Sequence, residues 1–360
     1  MSDQPHSLSP SSDLDIEQLD ALIAYLHATH RIGPAERPRA QRLSGGVSNR
    51  TVLVERDAGP DLVLKQALAK LRVAVDWFSD PARIHREALG LRHLERLAPQ
   101  GTITPFVFED HEHHILAMQA VPQPHDNLKT LLLTATPPSE VMLDYARQFG
   151  LLLGAIHGRS HAEREELRAL FDDRSFFESL RLEPYYLYSA TIEPRAAAFL
   201  RDLVEMTRQR RLALVHGDYS PKNVLVYQGK LILLDHEVIH WGDPAFDLGF
   251  GLSHLLSKAR HRSNRSADFV GMAHEFWSAY RQGLGTVSWD ADLEPWVVRH
   301  TLACLLARVV GRSPLEYLDS AARERQRQAV LRILGVVNGE LEPRPPVRLS
   351  ELCERVVTES

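Results

Sequence analysis

Three side chains that carry oxygen atoms, Asp218, Asn223 and Asp235, occur close together within residues 212–249. Carboxylate and amide oxygens are the hard ligands that Mg²⁺ prefers. Phosphoryl transfer requires such a set, because a metal bridges the phosphates while a carboxylate accepts or orients the proton of the attacking hydroxyl. These residues therefore predict a magnesium-assisted phosphoryl-transfer site.

A predicted β-hairpin positions these residues. Residues 224–226 and 231–234 are apolar and β-rich, and residues 227–230 supply a four-residue turn between them. This register places Asn223 across from Leu234, beside Asp235, at the open end of the hairpin. Asp218 follows a short apolar strand and lies one loop away, so the hairpin gathers all three side chains.

A glycine-containing segment near the N-terminus could cover phosphates. Ser44-Gly45-Gly46-Val47-Ser48-Asn49 stands between two predicted strands, where backbone amides can face an anion. A glycine pair in such a place is often only a turn, which is the alternative interpretation. We assign nucleotide contacts to a set of residues in this segment: Ser44, Gly45, Gly46, Ser48 and Asn49.

A lysine and a glutamate follow that segment. Lys65 ends an extended run, and Glu87 lies one helical turn from the apolar Ile84 and Leu91. A carboxylate beside a buried helix face requires a cation, and Lys65 is its natural partner. The alternatives are a solvated edge-strand lysine and an exposed glutamate.

The elements around these residues predict an α+β fold. We expect a disordered tail at residues 1–13, then a helix, with residues 1–37 outside the two main domains. Residues 38–121 predict an antiparallel sheet of five strands and one helix that starts at Asp80-Pro81. Residues 122–360 are mainly helical, and residues 339–348 resemble a surface connection.

Composition excludes several classes of protein. The net charge of −5 gives no basic surface for nucleic acid or for a membrane, and no apolar run is long enough to cross a bilayer. The start of the chain lacks the features of a secretory signal, and its two cysteines form no CxxC pair. We expect a cytoplasmic protein without a zinc site or disulfides, and a homodimer is left open.

The order of these motifs resembles a known superfamily. His216-Gly217-Asp218, Asn223, Asp235 and Gly242-Asp243-Pro244 with Asp247 are similar to the aminoglycoside phosphotransferase and choline kinase superfamily. The spacing from Asp218 to Asn223, D-x-x-x-x-N, is that of kinase catalytic loops. The resemblance covers roughly residues 40–335 and implies a bilobal, protein-kinase-like fold with a small nucleotide-binding lobe.

The resemblance also implies roles. ATP would lie between the lobes under Gly45 and Gly46, with its adenine at a hinge near Gln119 and Val121. Lys65, held by Glu87, would contact the α- and β-phosphates.

In the helical lobe, Asp218 would be the catalytic base, and Asn223 and Asp235, with Glu237, would bind Mg²⁺. His216 and Asp247 would support the loop. Asp243 would either do the same or only start a helix.

The acceptor is expected to be a small molecule with a hydroxyl group. Residues 236–241 leave no room for the activation segment on which protein kinases bind peptides. Asp235-His236-Glu237, together with Leu64-Lys65-Gln66-Ala67-Leu68 and Arg181-Leu182-Glu183-Pro184-Tyr185-Tyr186, is similar to methylthioribose kinases. Ser220-Pro221-Lys222-Asn223 departs from that branch, and Lys222 would either reach the γ-phosphate or face solvent.

Two rival functions remain at this point. An aminoglycoside kinase would need an acidic acceptor pocket, whereas the helical part carries a basic group instead: Arg260, His261, Arg262 and Arg265. A catalytically inactive, nucleotide-binding regulator of the same fold is the other alternative. Mg²⁺-dependent ATP consumption would separate that regulator from a kinase.

Overall fold

A computed structural model describes residues 14–43, 46–72, 76–135, 137–337, 340–341 and 346–359. Ser44 and Gly45, the predicted tail at 1–13 and half of the predicted connection at 339–348 lie outside these residues. The chain divides into two compact units. Unit 1 comprises residues 1–88 and 105–120, and unit 2 comprises residues 89–104 and 121–360. Residues 89–104, which the sequence analysis grouped with 38–121, thus cluster with unit 2.

Unit 1 is built on an antiparallel sheet of five strands in the order β1-β2-β3-β5-β4. The elements that begin in this unit are α1 (Leu19–Ala28), β1 (Arg39–Arg42), β2 (Asn49–Glu55), β3 (Leu62–Ala67), α2 (Arg83–Leu97), β4 (Phe106–Asp110) and β5 (Ile115–Gln119). The strand count and direction confirm the prediction. Leu22 and Leu26 of α1 join the buried side chains of β2, β3 and β5 in one apolar core.

Helix α2 begins later than its sequence predicts. Asp80 accepts hydrogen bonds from Ala82 N through Oδ1 (2.9 Å) and from Arg83 N through its carbonyl oxygen (3.2 Å). These bonds close a turn over residues 81–82, so the helix starts at Arg83 and ends at Leu97. Asp80 therefore caps the turn that leads into the helix, not the helix itself.

Unit 2 is mainly helical, as predicted. Its helices are α3 (Leu128–Thr134), α4 (Ser139–Ala162), α5 (Arg164–Phe171), α6 (Ser175–Phe177), a π-helix (Glu178–Leu187), α7 (Tyr188–Ile192), α8 (Ala197–Gln209), α9 (Pro244–His261), α10 (Ser266–Leu284), α11 (Leu293–Val310), α12 (Ser320–Ile333) and α13 (Leu349–Thr358). Its strands are β6 (Asp126–Asn127), β7 (Ala213–Val215), β8 (Val224–Tyr227), β9 (Lys230–Leu233), β10 (His240–Gly242), β11 (Val336–Val337) and β12 (Glu340–Leu341). No helix within the described residues is long and apolar enough to span a bilayer.

Helices α4 and α10 approach each other closely along a row of glycines. Gly150, Gly154 and Gly158 repeat every four residues, so they share one face of α4. A Cβ atom added at Gly154 would lie 2.3 Å from the carbonyl oxygen of Tyr280 in α10. Backbone of α10 occupies the space that any side chain here would need.

The short strands of unit 2 position the predicted chemistry. The β8–β9 hairpin has the predicted register, with Val224 opposite Leu233 and Val226 opposite Leu231. Leu234 N donates to the carbonyl oxygen of Asn223 at 2.9 Å, so the hairpin continues to that residue. Strand β7 pairs with β10, and helix α9 follows at once and is buried over almost its whole length.

Candidate active site

Asp247 of α9 anchors the loop that follows β7. The backbone N–H groups of His216 and Gly217 donate to Asp247 Oδ2 (2.7 Å) and Oδ1 (2.8 Å). Burial alone would raise the pKa of Asp247, but the hydrogen bond from His157 and the nearby His216 and Gly217 N–H lower it overall. A fully buried carboxylate thus stays charged and holds the loop by two backbone amides.

His216 supports the same loop through its ring. Its Nε2 lies 3.2 Å from the carbonyl oxygen of Leu234, and its Nδ1 lies 3.2 Å from Asp218 N. A carbonyl can only accept, so Nε2 carries the proton and Nδ1 accepts from Asp218 N–H. Burial lowers the pKa of His216 and outweighs the nearby charge of Asp247, which would raise it. The lowered pKa keeps the ring neutral. This geometry agrees with the structural role predicted for His216.

Gly217 has a backbone conformation that favours glycine. Its φ is +79°, and an added Cβ would lie 2.9 Å from the side chain of Val238. The turn directs the chain from the anchored His216 to Asp218.

Asp218 is held in place by two side chains. Asn223 Nδ2 donates to Asp218 Oδ2 at 2.7 Å and to its backbone carbonyl oxygen at 3.0 Å. Arg181 Nη2 forms an ion pair with the same Oδ2 at 2.9 Å. Because the amide nitrogen of Asn223 is engaged with Asp218, its oxygen Oδ1 is the atom that could bind a metal.

The sequence analysis missed the contact that Arg181 makes. Arg181 lies on the π-helix Glu178–Leu187, and its Nε also donates to the carbonyl oxygen of Gly217 at 2.9 Å. Burial opposes its charge, but the negative charge of Asp218, with smaller contributions from nearby acidic groups, raises the pKa of Arg181. The only signal in the sequence was the run from Arg181 to Tyr186, which we used as a family feature without a role.

Asp235 and Glu237 lie in the segment after β9. Asp235 has a φ of +68°, the left-handed region in which aspartate is among the more tolerated residues. Glu237 is 5% exposed, and both carboxylates act electrostatically on Arg181. Two carboxylates and the Asn223 amide therefore lie near the Asp218 loop, and this donor set fits Mg²⁺.

The structure also gives the surroundings of three other residues that the sequence pointed to. Lys222 is exposed, and Ser220 is buried. Asp243 caps α9, since its Oδ1 accepts from Ala245 N at 3.0 Å, and its Oδ2 pairs with Arg210 at 2.9 Å. Of the two alternatives for Asp243, the structure therefore supports the start of a helix.

In unit 1 the predicted lysine–glutamate pair is present. Lys65 Nζ lies 2.7 Å from Glu87 Oε1 and 3.0 Å from Oε2. Glu87 is fully buried, and the Lys65 side chain is 13% exposed. A bidentate contact to a buried partner holds the long lysine side chain in one position.

The end of the glycine-containing segment is fixed by an arginine that the sequence analysis did not single out. Arg83 is fully buried and donates to the carbonyl oxygens of Ser48 and Leu68, the latter at 3.0 Å. Asn49 Nδ2 donates to Ser48 Oγ at 3.2 Å. Arg83 and Asn49 thus both contact Ser48, which stands two residues after Gly46.

The predicted hinge coincides with the division between the units, which falls after Ala120. Gln119 N donates to the carbonyl oxygen of Pro105 at 2.9 Å, and Ala120 N donates to that of Asp61 at 2.8 Å. These amides are used within unit 1, so Gln119 could contact adenine only through its carbonyl or its side chain. Val121 is 8% exposed.

The basic residues of the helical part have structural partners, contrary to the use we made of them. Arg260 donates to the carbonyl oxygens of Val356 and Glu359, the latter at 2.8 Å. Arg262 donates to three carbonyls at the end of α3, and Arg265 pairs with Asp268. The argument from these residues about acceptor charge therefore loses its basis.

A separate cluster in unit 1 has ligand types suited to a metal. One ligand atom each from His85, Glu109 and His111 lie within 4.8 Å of one another. The rings of His85 and His111 are stacked, with centroids 3.9 Å apart and planes at 10°. Stacked rings direct their lone pairs side by side, so a tetrahedral metal would require a ring to rotate. His111 itself is exposed, as expected for a residue in this turn.

Comparisons with known proteins place this geometry in context. Methylthioribose kinase 2 of Oryza sativa subsp. japonica is 23% identical over 264 residues, which are 66% of this chain and 61% of that kinase. The chain thus spans less than two thirds of the length of that relative.

Two solved structures have a similar fold. The choline kinase of Cryptosporidium parvum Iowa II has a TM-score of 0.54 at 10% identity, covering 89% of this chain and 98% of that one. An amicoumacin kinase in complex with AMP-PNP, Ca²⁺ and Ami has a TM-score of 0.52 at 13% identity, covering 90% and 98%. Such similarity shows a shared fold.

A sequence profile gives the family directly. Residues 39–290 match the profile described as the phosphotransferase enzyme family, APH. This range includes the loop of Asp218, the hairpin and the Lys65–Glu87 pair. It confirms the resemblance inferred from the motifs, and because it covers more than half of the chain, the chain belongs to the phosphotransferase enzyme family.

Proposed function

We propose that this protein transfers the γ-phosphoryl group of ATP to a hydroxyl group of a small molecule. The observation that carries the proposal is the Asp218 carboxylate, which Asn223 and Arg181 hold on a loop anchored by Asp247. A carboxylate fixed in this way can orient a hydroxyl and accept its proton, as in other phosphoryl-transfer enzymes.

Asp218 has two oxygens with different tasks. Both side-chain contacts, from Asn223 Nδ2 and Arg181 Nη2, are made to Oδ2. We therefore assign the acceptor proton to Oδ1. Arg181 acts as a positioning residue, because its planar guanidinium holds both Asp218 and the carbonyl oxygen of Gly217.

Asn223 Oδ1, Asp235 and Glu237 would bind Mg²⁺, which when bound neutralises charge on the phosphates. The left-handed backbone of Asp235 and the burial of Glu237 restrict both side chains. Restricted ligands are already arranged before the nucleotide binds, which favours catalysis by positioning.

In unit 1, Lys65 would contact the α- and β-phosphates of ATP. Glu87 restricts the lysine side chain, which is 13% exposed. The amides of Gly46, Ser48 and Asn49 would contribute to phosphate binding, and Arg83 holds the carbonyl oxygen of Ser48. Adenine would bind near Gln119 and Val121.

The acceptor is proposed to be a small molecule. The chain between Asp235 and Gly242 is short and runs directly into β10, which leaves no platform for a peptide. Methylthioribose is one acceptor to test, since a methylthioribose kinase is among the relatives. We place the reaction in the cytoplasm, where MgATP is abundant.

The test is an ADP-release assay with MgATP and a panel of acceptors: methylthioribose, choline, ethanolamine, homoserine, sugars and aminoglycosides. Acceptor-dependent ADP release in the wild type is expected to fall by at least about 100-fold in Asp218→Asn. Asp144→Asn changes an exposed aspartate in the same unit and should retain full activity.

Binding of MgATP should persist in Asp218→Asn, because that residue is assigned to the acceptor. Undiminished turnover in this variant would contradict the assignment. Tight MgATP binding without ADP release for any acceptor would favour the nucleotide-binding regulator instead.

A further inference from the structure

A group of basic side chains in unit 2 extends from the exposed Lys222 on the Asp218 loop to three buried members. The members come from α3, the Asp218 loop, α9 and α11, and we call them the cationic cluster: Lys129, Lys222, His254, Lys258 and Arg308. His254, Lys258 and Arg308 are 4%, 0% and 8% exposed. Basic side chains are rarely buried to this degree unless something negative compensates them.

Lys258 is the most unusual member. Its ammonium donates one long hydrogen bond, 3.3 Å, to the carbonyl oxygen of His254, and lies 5.4 Å from the centroid of the Tyr317 ring. Within the described residues, no carboxylate comes within ion-pair distance of it. Burial, with Lys129 and Arg308 nearby, lowers its pKa from 10.5 to about 7.

Two polar atoms beside Lys258 also lack a partner among the described residues. Arg308 Nε and Tyr317 Oη are buried and make no hydrogen bond there. The Lys258 ammonium lies beside the Tyr317 ring, and the charge of Arg308 acts on both residues. Among the described residues, Arg308 Nε and Tyr317 Oη thus have no acceptor and Lys258 Nζ has only a distant one, and the lysine and the arginine bring positive charge to this buried region.

The cluster has little negative charge of its own. Glu316, an exposed residue, pairs with Lys129 at its outer edge. Burial lowers the pKa of His254 well below 6.5, and the charges of Arg308, Lys258 and Lys129 lower it further. An anion entering the cluster would relieve this repulsion.

The cluster is connected to the proposed base. Arg308 Nη1 donates to Tyr185 Oη at 2.9 Å, and the guanidinium of Arg181 lies 5.9 Å from the Tyr185 ring centroid. Arg181 in turn holds Asp218, and Lys222 directly precedes Asn223. The cluster thus begins two side chains away from the carboxylate that would meet the acceptor hydroxyl.

We infer that the cationic cluster binds an anionic group, a carboxylate or a phosphate, of the acceptor molecule. This inference rests on the proposed function, since it describes the acceptor of the same reaction. Lys258 and Arg308 would donate to the anion, Tyr317 would add a neutral hydrogen bond, and the hydroxyl at the other end of the molecule would lie at Asp218. Neutral sugars and polycations would be poor acceptors.

The experiment compares three molecules with one scaffold: glycerol, glycerate and glycerol 3-phosphate. Their binding is measured by calorimetry in saturating MgADP, so that nucleotide phosphate sites are filled. We expect glycerate or glycerol 3-phosphate to bind tighter than glycerol by on the order of 10- to 100-fold, the effect of a charge-assisted hydrogen bond. The preferred anion distinguishes a carboxylate from a phosphate.

Lys258→Met should abolish this preference, and Tyr317→Phe, which removes one oxygen only, should reduce it. Lys230→Met removes an exposed lysine of the β8–β9 turn and should keep it. Equal binding of the three molecules, or an unchanged preference in Lys258→Met with native nucleotide binding, would overturn the inference.

Binding and turnover separate the two proposals. If the anions bind selectively but no acceptor releases ADP, the cluster stands and the kinase assignment is wrong. If a neutral acceptor is phosphorylated efficiently and the anions do not bind, the kinase assignment stands and the inference about the acceptor is wrong.

Discussion

Replacement of Lys258 by methionine should stabilise the protein, and by an amount that depends on pH. Lysine has a pKa of 10.5 in the unfolded chain and about 7 at this buried position. The charged form is therefore disfavoured by folding, as expected where Lys129, Arg308 and a neutral His254 surround it without a carboxylate. Methionine has a similar shape and no charge.

The sign and size of this pH-dependent change in the free energy of unfolding follow from proton linkage. Above about pH 10.5 the amine is neutral in both states, so the pKa shift has no effect on stability. Between about pH 7 and 10.5 the unfolded state binds the additional proton, so the stability of the wild type rises with pH. The penalty is about 4 kcal/mol near pH 7 and about 1.5 kcal/mol near pH 9.5, from 1.36 kcal/mol per pKa unit.

The stabilisation by Lys258→Met should thus shrink by about 3 kcal/mol between about pH 7 and 9.5. Urea denaturation at the two pH values measures it, followed by tryptophan fluorescence. Most of the tryptophans report on unit 2, namely Trp241, Trp277, Trp289 and Trp296. Effects of groups elsewhere cancel in the difference between variant and wild type.

Lys230→Met is the matched control, because that lysine is exposed, and its stability should differ little from that of the wild type at either pH. A stabilisation by Lys258→Met that is the same at both pH values would refute the reasoning. It would show that Lys258 titrates near its ordinary pKa and that the buried cluster already contains its counter-charge.

Three further perturbations test the remaining parts of the site and fold. Arg181→Met should lower kcat by about 10- to 100-fold with little change in the KM for MgATP, because it removes a charged hydrogen bond that positions the base. Steady-state kinetics at varied MgATP concentration separates kcat from KM. Lys65→Met and Glu87→Gln should each weaken MgATP binding in calorimetry, and the double variant should lose less than the sum, because the two side chains act as one unit. Gly154→Ala should destabilise the protein by about 1–3 kcal/mol in urea denaturation, because the new Cβ meets the backbone of α10. Gly271→Ala is the control and should not destabilise it, since its Cβ would have no contact closer than 3.5 Å.

Local patterns were sufficient for the five strands of unit 1, the β8–β9 hairpin and two of the contacts. The register of β8 and β9 follows from a turn of known length, and this alone brings Asn223 next to Leu234 and Asp235. Glu87 could be paired with Lys65 because helical spacing placed its carboxylate beside apolar residues, where only a cation could satisfy it. In both cases the signal lies within one element or between neighbouring elements.

Helix boundaries were less accessible, since several conformations compete at each end. Asp80 closes a turn before α2, so the Asp80-Pro81 pair precedes the first helical residue, Arg83. Hydrogen bonds made by polar residues at a helix end determine where the helix begins. The spacing of apolar residues contains no information about these bonds.

The phosphotransferase motifs and the register of the β8–β9 hairpin could be read from the sequence, whereas the residues expected to hold a nucleotide and Mg²⁺ stay a prediction. Only the tertiary structure decided that Arg181 contacts Asp218, and that Lys258 and Arg308 are buried near each other. These residues lie on separate helices, and the direction of a helical side chain relative to another helix depends on how the helices pack. The cationic cluster therefore results from helix packing, which no single stretch of the sequence contains.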